Sequence, residues 1–287
     1  MDIDIHVCGR AVPLRVYAPK AAVDRHCAVL YYHGGGFLCG EMGDLPALYQ
    51  RMFAQAGYTL VTVEYPLCPE YTLAGSVAYS LEALSELVRA LPRLGCDSYV
   101  LFGRSAGAYL VLKLAASLHR GAPELLQPAA ILDFYGFWNL DDAFLNEPSA
   151  HYREMPHVDE QTVDAICGKE GELVLGGANA QRFSVYVHAR QTGRWGELLG
   201  VRTDAAREAL SLSDDDVAAL PPLFITASTG DQDVPLKQSK TLMRASSDAV
   251  MHQVYYLEHD FDRDVSNPAG REAYEAALAF LSDRLGH

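Results

Sequence analysis

Ser105 sits at the centre of Gly103-Arg104-Ser105-Ala106-Gly107, a G-x-S-x-G pentapeptide. An apolar, strand-like run over 98–102 precedes it, and a helix-like run over 108–116 follows. A serine on such a strand-to-helix turn is lifted above the sheet, where a substrate carbonyl can reach its hydroxyl. Glycines flank it because a side chain on either side would strike the neighbouring strand or helix. The hydroxyl is a poor nucleophile unaided. It needs a base, a group that orients the base, and hydrogen-bond donors for the oxyanion that forms on attack.

The chain offers a candidate for each. Of its ten histidines, His259 in Glu258-His259-Asp260-Phe261 follows the last strand-like run, where a base can overhang the serine. His6, His26, His119, His151, His157, His188, His252 and His287 lack that setting and read as surface or structural residues. The orienting carboxylate is expected in Gly230-Asp231-Gln232-Asp233-Val234-Pro235. Asp233, three residues after the glycine and directly before Val-Pro, is the preferred candidate. Asp231 is the alternative, and whichever is unused reads as a turn former. The N–H of Ala106, at the start of a helix, is one oxyanion donor. Further donors are expected from His33-Gly34-Gly35-Gly36, where consecutive glycines after a strand let N–H groups turn inward. A phosphate-cradling loop would want a Lys, Ser or Thr close behind, whereas Phe37-Leu38-Cys39 follows.

The elements needed to position these residues can be read from periodicity. Strands are expected at 3–7, 14–17, 28–32, 58–64, 98–102, 130–135, 222–227 and 252–257, with a turn at 9–13. Helices are expected at 45–56, 77–91, 108–119 and 271–285. Alternating strand and helix implies a parallel sheet covered on both faces. The rhythm breaks over 137–213, where short helical pieces at 159–167, 180–190 and 204–210 stand among aromatics and charges. That length without a core strand predicts an inserted cap rather than a loop. The expected organisation is a core of 1–136 and 214–287 with a cap of 137–213.

Bulk properties narrow the function classes. The chain has 287 residues, of which 49% are hydrophobic and 21% charged, as in an ordinary globular protein. A net charge of -14 repels polyanions, so neither nucleic acid nor an anionic membrane is an expected partner. The first residues lack the basic and apolar segments of a secretory signal, and no apolar run reaches the ~20 residues of a membrane helix. The six cysteines are scattered without a C-x-x-C pair, which fits reduced thiols in a cytoplasmic protein and argues against a metal site.

Taken together, these residues resemble the α/β-hydrolase fold, and within it the hormone-sensitive-lipase-like esterases and bacterial carboxylesterases. The matching pieces are His33-Gly34-Gly35-Gly36-Phe37, Glu64-Tyr65-Pro66-Leu67-Cys68-Pro69-Glu70, the 103–107 elbow, and the Asp233 and His259 loops. The second piece is similar to the group's Tyr-Arg-Leu-Ala-Pro-Glu segment, with Pro66 and Cys68 substituted. The resemblance implies a mostly parallel sheet flanked by helices with an inserted, mainly helical cap. It also implies an oxyanion hole of Gly35, Gly36 and Ala106, and no cofactor. Two departures stand out: the chain starts almost directly at a strand, and Arg104 stands where the group often has an acidic residue. The expected function is a carboxylesterase cleaving small acyl or aryl esters through Ser105, His259 and Asp233. The same constellation would serve an amide or peptide hydrolase, and a ligand-binding relative without activity is a third reading. Phe37, beside the oxyanion glycines, and Trp138 are expected substrate-binding residues. The cap aromatics either pack a small core of their own or line an aromatic pocket. Arg104 is read as an anchor for a carboxylate of the protein itself, with an acidic substrate as the alternative.

Overall fold

The computed structural model describes residues 5–7, 9–20, 24–176 and 181–286. Expectations that fall on residues 3 and 4, Cys8, residue 180 and His287 lie outside the described residues. A two-stranded antiparallel hairpin of β1 (Ile5–Val7) and β2 (Arg10–Val12) opens the chain, so a strand occupies part of the stretch read as a turn. The main sheet then forms from β3 (Leu14–Tyr17), β4 (Cys27–Tyr32) and, after α1 (Ala47–Gln55), β5 (Thr59–Val63). It continues through α2 (Leu73–Ala90), β6 (Ser98–Arg104), α3 (Ala106–Gly121) and β7 (Ala130–Phe134).

Among the described residues, six α-helices lie between β7 and the next sheet strand. They are α4 (Ala150–Arg153), α5 (Glu160–Ile166), α6 (Arg182–Thr192), α7 (Trp195–Leu198), α8 (Asp204–Leu210) and α9 (Asp214–Ala218). The chain closes with β8 (Leu223–Ser228), α10 (Leu236–Ala245), β9 (Ala249–Val254) and α11 (Pro268–Leu285). The sequence reading had no helix at 236–245. Its buried face is Gln238, Ser239 and Leu242, too polar to register as an apolar stripe.

The seven strands run in the order β3-β5-β4-β6-β7-β8-β9. All neighbours are parallel except β3, which pairs antiparallel with β5 at one edge. Winding reverses at β4, which lies between β5 and β6, and a crevice opens there at the carboxyl ends of the strands. Alternate residues feed two apolar clusters. Tyr99 and Leu101 of β6 face α2 and α3, while Val100 and Phe102 face α1 and α11. The central strands are buried on both sides, which explains why they read as continuous apolar runs.

Among the described residues, the segment between β7 and β8 forms no separate core. Its Phe137, Val185, Trp195 and Val217 join the same cluster as α2 and α3. Among the described residues, no helix is long and apolar enough to cross a membrane.

One buried carboxylate departs from this apolar logic. Asp133 of β7 accepts from the Gly136 N–H at 2.8 Å through Oδ1, while its Oδ2 has no partner among the described residues. Burial raises its pKa to about 7, against the pull of the Gly136 N–H. The folded protein thus holds a proton that the unfolded chain releases. Stability therefore falls as pH climbs from the ordinary carboxylate pKa to the raised one, by up to ~1.4 kcal/mol per pH unit. Asp133→Asn should gain in Tm on the wild type between pH 5 and pH 8 in thermal melts. A difference of the same size at both pH values would contradict the assignment.

Candidate active site

The elbow forms where β6 meets α3. Ser105 has φ 52° and ψ -117°, a conformation that costs a non-glycine residue about 1–3 kcal/mol. Its own N–H is fixed to the Phe134 carbonyl at 2.8 Å, and its carbonyl accepts from Ala108 and Tyr109. A Cβ on Gly107 would overlap the Tyr32 and His33 carbonyls, and one on Gly103 would overlap Gly107. The glycines therefore let the amino end of α3 press against β4 and β6, with the serine at the apex.

His259 reaches the serine from the loop after β9. Its Nε2 lies 2.9 Å from Ser105 Oγ, and its Nδ1 lies 2.7 Å from Asp231 Oδ2. The Tyr135 ring packs edge-on to the imidazole at 4.8 Å. Burial alone would lower the pKa of His259. The adjacent Asp231, with Asp233 and Asp260 near it, outweighs burial and raises the pKa above the ordinary imidazole range.

The carboxylate on His259 is thus Asp231, and the expectation of Asp233 is corrected. The two oxygens of Asp231 have separate tasks. Oδ1 accepts from the N–H groups of Asp233 and Val234 at 2.8 and 2.9 Å, which folds the turn, and Oδ2 remains for the histidine. Asp231, the alternative candidate, is a turn former and a histidine partner at once. Asp233 faces the segment above the sheet instead. Its Oδ1 accepts from Tyr186 at 2.7 Å, its Oδ2 accepts from Tyr152 at 3.0 Å, and Arg190 Nη2 lies 3.3 Å from Oδ1. Arg190 also donates to the Asp233 carbonyl.

The glycine loop after β4 forms the opposite wall. The Gly35 carbonyl accepts from the N–H groups of Leu38 and Cys39, both at 3.0 Å, and closes a tight turn. Tyr65 donates to the carbonyls of His33 and Gly34. His33 is fully buried, donates from Nδ1 to the Gly34 carbonyl at 2.7 Å, and sets Nε2 3.2 Å from Glu64 Oε2. Burial opposes a charge on this ring, yet the Glu64 carboxylate raises its pKa. The loop carbonyls are therefore engaged from below. Among the described residues, the N–H groups of Gly35, Gly36 and Ala106 meet no protein acceptor.

Support for the loop also comes from above, which sequence reasoning missed. Trp195 Nε1 donates to the Gly36 carbonyl at 2.9 Å, and Arg182 Nε donates to the Leu38 carbonyl at 2.9 Å. Gly36 has φ 63°, and a Cβ there would run into the Tyr186 ring. Arg182 is itself held by a buried ion pair with Glu70 at 2.8 Å.

These walls enclose a cleft of about 1180 Å³. Ser105, His259, Gly35 and Gly36 line it together with Tyr152, Phe183 and Tyr186. The two expected substrate-binding residues do not line it. Phe37 has φ 61°, which turns its ring into the core against Tyr65 and Tyr109. Trp138 packs toward α10, where its Nε1 donates to Thr241 at 3.1 Å. Arg104 is buried and bonded to Asp262 of the protein, as its reading as an internal anchor expected. Among the described residues, no cluster of His, Cys, Asp and Glu could hold a metal ion.

Residues 29–263 match the model of a family described by the α/β-hydrolase fold. The chain belongs to the α/β-hydrolase fold family. Among solved members, an α/β-hydrolase superfamily protein from Enterococcus faecalis superposes with a TM-score of 0.85 at 26% identity, covering 99% of both chains. The fold also matches a thermostable carboxylesterase cloned from a metagenomic library, with TM-score 0.70, 24% identity and coverage of 99% of this chain and 88% of that one. A curated relative, a non-reducing polyketide synthase of Penicillium brevicompactum, is 26% identical over 87% of this chain, which spans 14% of that protein's length.

Within this α/β-hydrolase site, the two aspartates should separate cleanly. Asp231→Asn should slow labelling of Ser105 by a fluorophosphonate about 10²- to 10⁴-fold, as loss of a histidine-orienting carboxylate does. Asp233→Asn should slow it by less than about tenfold. Labelling rates followed by intact-protein mass spectrometry check both, and the reverse order would restore Asp233 as the partner of His259.

Proposed function

We propose that this protein is a serine carboxylesterase acting on small acyl or aryl esters. The observation that carries the reading is the continuous hydrogen-bonded line Asp231–His259–Ser105, with distances of 2.7 and 2.9 Å, opening into a cleft of about 1180 Å³. Ser105 Oγ attacks the ester carbonyl as His259 Nε2 takes its proton. Asp231 holds the Nδ1 tautomer and offsets the charge of the imidazolium. The carbonyl oxygen, now an oxyanion, is received by the N–H groups of Gly35, Gly36 and Ala106, the last aided by the positive end of the α3 dipole. Collapse breaks the C–O bond to the alcohol, which leaves with the proton from His259. Water then enters, His259 accepts its proton, and a second collapse releases the acid and restores Ser105.

Several features support the substrate class. The cleft is lined by Tyr152, Phe183 and Tyr186, which present flat apolar faces to an acyl or aryl group. Two of these rings are fixed through their hydroxyls to Asp233, so the wall is shaped before substrate arrives. One solved structure with this fold is that of a thermostable carboxylesterase.

Ser105→Ala should lower turnover of p-nitrophenyl acetate by at least about 10³-fold in purified protein. Retained turnover would sink the reading. A matched anilide cleaved as fast as the ester would move it to amide hydrolysis. The pH dependence follows from His259. A protonated imidazole cannot accept the serine proton, so kcat/KM falls as pH drops through the raised pKa. The acid limb should therefore have its midpoint above pH 6.5, the ordinary imidazole value. A pH-rate profile recorded with a pH-stat checks this, and a midpoint below that value would contradict the electrostatic account.

A further inference from the structure

Arg104 occupies the position directly before the nucleophile and is only 4% exposed. Asp262 lies three residues after His259 and is fully buried. Arg104 Nη2 donates to Asp262 Oδ1 at 2.9 Å. Tyr135 links the two, since its hydroxyl accepts from Arg104 Nε at 2.5 Å and donates to the same Asp262 oxygen at 2.7 Å. The second oxygen, Oδ2, accepts from Tyr274 of α11 at 2.9 Å, and the Asp262 backbone carbonyl accepts from Tyr49 of α1 at 2.9 Å. Arg104 also reaches Asp44 at 3.5 Å on the cleft wall. A guanidinium and a carboxylate buried together are costly unless their donors and acceptors are filled, and here side chains from two helices (Tyr49 and Tyr274) and two loops (Asp44 and Tyr135) converge on them.

The network joins the two segments that must meet for the chemistry. Its one end is the residue bonded to Ser105, its other end is the loop bearing His259, and its link, Tyr135, packs on the His259 ring. We infer that Arg104 and Asp262 are positioning residues, a buried ion pair that sets the approach of His259 Nε2 to Ser105 Oγ. The inference rests on the proposed roles of Ser105 and His259. Neither Arg104 nor Asp262 touches the reacting atoms. Their contribution is to hold a two-sided geometry, in which an error of about 1 Å can cost on the order of 10²-fold in rate.

The test is a double-variant cycle of Arg104→Met and Asp262→Asn on p-nitrophenyl acetate, with active sites counted by fluorophosphonate titration. Each single variant should lose about 10- to 100-fold in kcat while KM stays within about twofold, and the double variant should be no slower than the slower single. Tyr135→Phe keeps the ring on His259 and removes only the linking hydroxyl. It serves where the buried charge variants fold poorly, and should lose several-fold in kcat with KM unchanged. The inference is overturned if titrated kcat stays within twofold of wild type in Tyr135→Phe and in whichever single variants fold. Losses that multiply in the double variant would overturn it too. Turnover retained by Ser105→Ala would instead remove the reading on which it rests, so the two failures are told apart.

Discussion

The structure depends on one close approach, the amino end of α3 packed against the carboxyl ends of β4 and β6. Gly107 makes it possible, because only a hydrogen fits against the Tyr32 and His33 carbonyls. The approach drives Ser105 into its strained backbone conformation and brings the helix N–H groups next to the glycine loop after β4. Ser105, the α3 dipole and the glycine loop are thereby brought together. The strain is offset by a sheet buried on both faces, whose central strands are fully covered by apolar clusters.

Around that approach the machinery is held by buried polar contacts rather than apolar packing alone. His33, Glu64 and Tyr65 grip the glycine loop from the sheet side, and Trp195 and Arg182 grip it from the other. Apolar packing is tolerant of shape, whereas hydrogen bonds in a low dielectric fix direction. Such direction matters for the N–H groups of Gly35, Gly36 and Ala106 in the oxyanion role proposed for them.

Much of this was legible in the sequence where the deciding signal is local. The strand–turn–helix around Ser105 and the loop after the last strand are short-range patterns, and they placed Ser105 and His259. The choice between Asp231 and Asp233 was not legible. It turns on Tyr152, Tyr186 and Arg190, which lie many tens of residues away and reach Asp233 only through the tertiary fold. Phe37 misled because adjacency in sequence says nothing about a left-handed turn that sends a ring the other way. The helix at Leu236–Ala245 escaped because its buried face is largely polar. The partners of Arg104 were invisible for the same reason as those of Asp233.

Tyr186 joins three tasks in one side chain. Its ring lies on Gly36 and walls the cleft, and its hydroxyl is bonded to Asp233 two residues from the partner of His259. In the proposed esterase, selectivity and rate are consequently coupled at this position. A substitution that reshapes the cleft here also removes a contact on the Gly36 loop and on the turn that carries Asp231. Phe183 lines the same cleft but stands 43% exposed. The cleft thus has one side whose aromatic rings are tied into the frame and one side whose ring faces solvent.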